Sequence, residues 1–208
     1  MINFLEKEKC CGCYGCANIC KFNAISMKAD SEGFLYPYIN KKLCRHCGAC
    51  EKVCPVLNQY EKKKKEPKAY AITSKQEDIL LKSSSGGLFS HLANFVLIQN
   101  GIVFGASFSS AIEVQHKAIT DEKDLMLLRG SKYVQSNIDQ SFCSCRDLLN
   151  KNKLVLFTGT PCQIAGLNQF LNRNYDNLVT MEIICHGVPS PKVLRKYIKN
   201  LERKKRKK

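Results

Sequence analysis

One cysteine pattern, written twice, constrains this chain more than any other feature. It reads Cys10-x-x-Cys13-x-x-Cys16-x-x-x-Cys20, then Cys44-x-x-Cys47-x-x-Cys50-x-x-x-Cys54 followed by Pro55. Three thiols two residues apart wrap a tight loop around one [4Fe-4S] cube, each reaching a different iron. The fourth opens a short helix that runs to the other cube. Cys54 should therefore complete the cluster of Cys10, Cys13 and Cys16, and Cys20 the cluster of Cys44, Cys47 and Cys50. Small residues between the ligands (Gly12, Gly15, Ala17, Gly48, Ala49) let backbone amides approach the sulfides. Zinc also takes paired Cys-x-x-Cys. Three cysteines two apart plus a fourth, repeated, suit a cube better than a tetrahedron.

The spacing is that of bacterial two-cluster ferredoxins, with two departures. Lys21 stands where a proline usually follows the fourth cysteine, and Cys11 is surplus to the pattern, a spare thiol. His46, inside the second block, reads as a solvated loop residue. Nine of the thirteen cysteines fall between Cys10 and Cys54, with no signal peptide in Met1–Lys9. Clustered cysteines in a cytoplasmic chain argue for metal or redox chemistry over disulfides. The formal charge of +15 suggests nucleic acid at first sight. Each cluster with its thiolates carries roughly −2, so two remove about 4 of those charges. Much of the remainder lies in Lys62–Lys65 and Arg203–Lys208, with no interleaved aromatics to stack on bases. No nucleic acid and no membrane are expected as partners, the apolar run near Phe95–Ile98 being far too short to span. An acidic redox partner protein fits the basic surface.

Three zones follow: a cysteine-rich module over residues 1–58, a charged linker over 59–68, and an α/β zone over 69–208. In the third, Ala69–Thr73, Ile102–Phe108, Leu154–Phe157 and Leu178–Ile184 read as strands. A helix over Leu88–Gln99 would place Leu88, Leu92, Phe95 and Val96 on one face, and another runs from about Gln163 to Leu171. Strand, polar loop, helix, strand is the signature of an α/β layer. The loop Ser83–Gly87 is either a phosphate cradle or a simple N-cap. Thr158–Cys162 sits between strand and helix, where α/β ligands bind. Cys162 and Cys185 both occupy strand ends and are either neighbours in a site or buried structural cysteines.

Together these residues resemble the coenzyme F420 hydrogenase/dehydrogenase beta-subunit family. The matching stretches are SSSGGLFS (Ser83–Ser90), RGSKYVQS (Arg129–Ser136), LFTGTPCQIAGL (Leu156–Leu167) and NLVTMEIICHGVPSPKV (Asn177–Val193). The resemblance implies an α+β ferredoxin-like domain with two [4Fe-4S] clusters, followed by an α/β flavin-binding domain. It also implies FAD, held by Ser84, Ser85, Gly86, Gly87, Gly130, Ser131, Lys132, Thr158, Gly159 and Thr160. Lys132 either pairs with a flavin phosphate or is a surface lysine. Cys162 and Cys185 match positions that ligate an additional cluster beside the flavin, whose other two ligands lie further along the family sequence. After Leu201 the chain reads ERKKRKK where the family continues, so the α/β domain is expected to be its N-terminal portion, incomplete. Cys143 and Cys145 match no family cysteine. The expected function is an oxidoreductase subunit relaying electrons between the two clusters and FAD, with hydride exchange to coenzyme F420 or another acceptor. The alternative is a ferredoxin-type electron carrier with a non-catalytic second domain. His91 and His116 are expected in ordinary packing or solvent, with no general acid or base assigned.

Overall fold

In the computed structural model the described residues are 7–58, 66–109 and 112–205. Residues 59–65 of the expected linker and the last three of the tail lie outside them. The cysteine module holds two short helices, α1 (Gly15–Ile19) and α2 (Ala49–Lys52), and a hairpin of β1 (Ile25–Ala29) and β2 (Leu35–Ile39). The strands pair antiparallel from Ile25↔Ile39 to Ala29↔Leu35. Asp30 closes the hairpin: its Oδ1 accepts the backbone N–H of Glu32, Gly33 and Phe34 at 3.0, 2.7 and 2.9 Å. Both short helices start from a left-handed residue, Tyr14 (φ 68°) and Gly48 (φ 72°), each within a cysteine loop.

The second part contains α3 (Glu77–Leu81), α4 (Leu88–Ile98), β3 (Ile102–Phe108), β4 (Val114–Ile119), α5 (Leu125–Leu128), α6 (Ser141–Asn150), β5 (Val155–Gly159), α7 (Pro161–Leu171), β6 (Leu178–Glu182) and α8 (Pro191–Lys205). The sheet runs β4-β3-β5-β6, with β4 antiparallel and the other three parallel. This is the expected α/β layer with a mixed sheet. Alternation along the central strands builds two cores. Ile102, Phe104, Val155 and Phe157 pack with α6 and α7; Val103 and Leu156 pack with α4 and α5. Tyr14, from the cysteine module, lies inside the first core at 4 % exposure.

Two expectations fail. Ala69–Thr73 forms no strand; it runs as coil against the serine–glycine loop, where Ser74 N–H donates to Gly86 O at 2.7 Å. A side chain at Gly86 would collide with the Ile72 carbonyl, so the loop and the coil lock each other without a sheet. In α4 the buried face is Ser90, Ala93, Val96 and Leu97, while Phe95 is 61 % exposed. Small residues face the sheet there because α4 packs close against it, and Arg129 Nε donates to Ser90 Oγ at 2.9 Å.

Candidate functional site

Each cysteine block bends round a cavity, and each borrows its fourth thiol from the other block. Cys10, Cys13, Cys16 and Cys54, with the surplus Cys11 beside them, line a hollow with Met27, Pro37, Val56 and Leu57. Cys20, Cys44, Cys47 and Cys50 line a second with Phe22, Ile25 and Ile39. The exchange follows from the helices: α1 carries its chain from Cys16 to Cys20, and α2 leads from Cys50 to Cys54. Among the described residues no three His, Cys, Asp or Glu side chains converge on a point that could hold a single metal ion. The thiols ring a space instead. Four soft donors round an apolar cavity are the donor set of a [4Fe-4S] cube, so the residues present fit that group. As a free thiol, Cys16 is pushed up to about 12, first by burial and then by nearby Cys10 and Cys54. Ligation would reverse this by taking the thiolate.

The first ring is tied to the second part of the chain. Helix α7 lies on it so closely that a Cβ at Gly166 would stand 2.9 Å from Cys13 Sγ. Cys162, at the start of α7, shares thiol hydrogen bonds with Cys11 and, at 3.2 Å, with Thr160 Oγ1. The contact with Cys11 and burial together raise the Cys162 thiol well above its ordinary range. Cys11 in turn is pushed up to about 12, chiefly through its hydrogen bond with Cys13. The surplus thiol thus sits between the first ring and the second part. Cys185, one strand away at the end of β6, is exposed and accepts the Gly187 N–H at 3.3 Å. Cys145 is wholly buried in the core, and Cys143 donates its thiol to Asn18 O at 3.3 Å.

The turn before α7 is held by a closed ring of hydrogen bonds. Thr160 N–H donates to Gln163 Oε1 (3.0 Å), Gln163 Nε2 to Ser136 Oγ (2.8 Å), Ser136 O–H to His116 Nδ1 (3.3 Å), and His116 Nε2 to Thr158 O (3.0 Å). The carbonyl of Thr158 can only accept, which fixes the proton on Nε2 and leaves Nδ1 to accept. Burial pushes the His116 imidazole down to about 4, so it stays neutral. Thr160 and Gln163 also form a reciprocal capping box. The Thr-x-x-Gln spacing signals that box in the sequence; nothing there signals His116 or Ser136, which come from a distant strand and loop.

Of the residues expected at a flavin, two groups meet: Ser131 N–H donates to Ser84 Oγ at 3.3 Å. Ser85, Gly130 and Ser131 are exposed, Gly130 in a left-handed turn (φ 79°) with open space where a side chain would stand. Gly87 (φ 87°) caps α4. Lys132 turns inward: its Nζ donates to Leu127 O (3.1 Å) and Arg129 O (2.7 Å), closing the end of α5, and burial lowers it to about 8. Thr158 is buried with its hydroxyl on Phe104 O at 2.9 Å, and Gly159 is closed off by Gln163. Among the described residues no hydrogen bond joins Thr158–Thr160 to the other two loops. His46 is an exposed loop residue with φ 52°, and His91 pairs with Ser74 Oγ at 2.9 Å.

Comparison with known proteins covers both halves. Residues 9–58 match the family described as a 4Fe-4S dicluster domain. Residues 152–207 match the family described as the C terminus of the beta subunit of coenzyme F420 hydrogenase/dehydrogenase. A protein from Methanosarcina mazei, named as the F subunit of F(420)H(2) dehydrogenase, is 22 % identical over 211 aligned residues, covering 94 % of this chain. The chain spans 60 % of the length of that relative.

Proposed function

From a chain whose residues match a 4Fe-4S dicluster domain and the C-terminal domain of the coenzyme F420 hydrogenase/dehydrogenase beta subunits, we infer an iron–sulfur oxidoreductase subunit that relays single electrons between its clusters and its α/β part. The observation that carries this reading is the pair of crossed four-thiol rings, with α7 seated on the first. Cys10, Cys13, Cys16 and Cys54 would hold one cluster, and Cys44, Cys47, Cys50 and Cys20 the other. Bound clusters supply one-electron storage, and FAD supplies the conversion of paired electrons to a hydride. Cys162 lies beside the first ring, so an additional cluster held in part by Cys162 and Cys185 would continue the path. The loops Ser84–Gly87, exposed at Ser84 and Ser85, and Gly130–Ser131 are our site for the FAD phosphates, with backbone amides and hydroxyls as donors. Lys132, Thr158 and Thr160 have their polar groups engaged within the fold: Lys132 braces the Gly130–Ser131 loop through the Arg129 carbonyl, while Thr158 and Thr160 hold the turn before α7. The name of the Methanosarcina mazei relative supports coenzyme F420 as the hydride-exchange partner, with the reduced coenzyme as donor in the direction that name gives, and a partner protein as the other terminus.

Anaerobic purification followed by iron, acid-labile sulfide and flavin analysis on one sample tests the reading. About eight irons with one FAD per chain are expected. About eight irons without flavin would leave an electron carrier whose second part is structural, and a colourless preparation would end the iron–sulfur reading altogether.

A further inference from the structure

The two rings are not equivalent, and the difference points to which of them meets a partner. The first is covered by the α/β part: α7 lies on Cys13, a Cβ at Gly12 would meet the Gln135 side chain at 2.7 Å, and Gln135 Oε1 accepts the Leu35 N–H at 2.8 Å. The second faces away. Among the described residues, the hydrogen bonds of residues 39–49 all close within the first 58 residues. Cys47 is exposed there, and so are two apolar side chains, Phe22 (45 %) and Leu43 (47 %). Lys21 precedes Phe22, and Lys41, Lys42 and Arg45 flank Leu43 along the chain, all exposed. The carboxylates of the module lie mostly elsewhere. Asp30 is bound to Lys7 at the far end of the hairpin, where Ser190 Oγ also donates to Glu32 O at 2.6 Å. Glu8 sits beside the first block, and only Glu51 approaches the second, near Gly48.

Exposed cations next to exposed apolar side chains, on the loops that carry an exposed cluster ligand, have the form of an electron-transfer contact. Such encounters are small, steered by charge and short-lived. We propose that the rim of the second ring, formed by Lys21, Lys41, Lys42, Arg45, Phe22 and Leu43, is the docking surface for an acidic one-electron carrier protein. The second cluster is then the port and the first the inward relay. This deepens the electron-transfer reading above and rests on it. No bond is made or broken at the contact: one electron passes between the carrier and the second ring, one side being oxidised as the other is reduced.

The chain has a rival basic surface, exposed on α8 at Lys196, Lys199 and Lys204, and it serves as the control. Binding of a plant-type [2Fe-2S] ferredoxin, which is strongly acidic, would be measured by calorimetry on anaerobic, cluster-loaded protein. Lys41→Glu/Lys42→Glu is expected to weaken binding by about tenfold or more, and raising NaCl from about 50 to about 300 mM should weaken the wild type similarly. Lys199→Glu/Lys204→Glu, with the same change in net charge, should alter affinity by less than about twofold. Iron analysis of each variant separates the two layers of inference. Absent iron in the wild type ends the electron-transfer reading. Full iron with no ferredoxin binding, with equal losses in both pairs, or with tighter capture of a DNA duplex by the same lysines overturns the docking surface alone. Should Lys41→Glu/Lys42→Glu lose iron, Lys41→Gln/Lys42→Gln replaces it, with about threefold weakening expected and none overturning the proposal.

Discussion

The cysteines show how unlike roles can share one residue type. Cys20 lines the second cavity although it closes the first motif, so Cys20→Ala should lower iron toward about half and leave the first cluster's spectrum in place. Electron paramagnetic resonance on the reduced variant checks this; loss of both signals would deny the crossed assignment. Cys11 touches Cys13 and Cys162 but completes neither four-thiol ring. Cys11→Ser should keep about eight irons while changing the thiol reactivity of Cys162, read by alkylation and mass spectrometry. The eight ring cysteines were legible because cluster geometry dictates their spacing. His116 was not, because its role depends on Ser136 and Thr158, which only the fold brings near. Its depressed pKa carries a sign. The unfolded chain binds a proton near pH 6.5 and the folded chain does not, so stability is undiminished above that pH and falls below it, at about 1.4 kcal/mol per unit until about pH 4. Thermal unfolding between pH 7.5 and 5.5 should show the slope, and His116→Gln should flatten it.

At the scale of elements, the glycine in α7 sets how near the two parts approach. Ordinarily Gly→Ala in a helix interior gains about 1 kcal/mol. At Gly166 the added methyl would press on Cys13 Sγ and Cβ at 2.9 and 3.1 Å, and the helix must shift off the ring. An overpacking cost of about 1–3 kcal/mol outweighs the propensity gain. Gly166→Ala should therefore lower the melting temperature and alter the first cluster's resonance while sparing the second; a stabilised variant with unchanged spectra would contradict the close seat. The strands at Ile102–Phe108 and in β5 were readable because buried strands are apolar throughout. The faces of α4 were not: hydrophobicity put Phe95 inward, but closeness to the sheet selects Ala93 and Ser90 there. Ala69–Thr73 has the composition of a strand and no partner edge. β4, at the sheet's antiparallel edge, buries Val114, His116 and Ile119 but exposes Lys117 and Ala118 together, so its alternation is broken and its signal weak.

For the whole molecule, the sequence divides at its charged stretch, yet the contacts cross that division repeatedly. Tyr14 enters the core of the α/β part. The buried Asn18 side chain donates to Tyr14 O (3.1 Å) and Asp139 O (2.7 Å) and accepts the Cys143 N–H (3.3 Å). Gln169 Nε2 donates to Asn58 O at 3.1 Å, and Lys192 Nζ to Ser31 O at 2.7 Å. These partners lie more than a hundred residues apart in most cases, so no local pattern announces them. A shared core makes cluster retention and helix retention one event, since separating the parts would expose Tyr14 and strip Asn18 of its distant partners. Asn18→Ala leaves the Asp139 carbonyl and Cys143 amide without their partner at the seam, a cost of about 2–3 kcal/mol. In an anaerobic melt, the loss of cluster absorbance near 400 nm should coincide with the loss of helical ellipticity in the wild type. Asn18→Ala should lower both together, by roughly 4–8 °C for parts of this size. Two resolved transitions, with clusters surviving after the helices melt, would mean that the contacts across the seam are surface touches between independent folds.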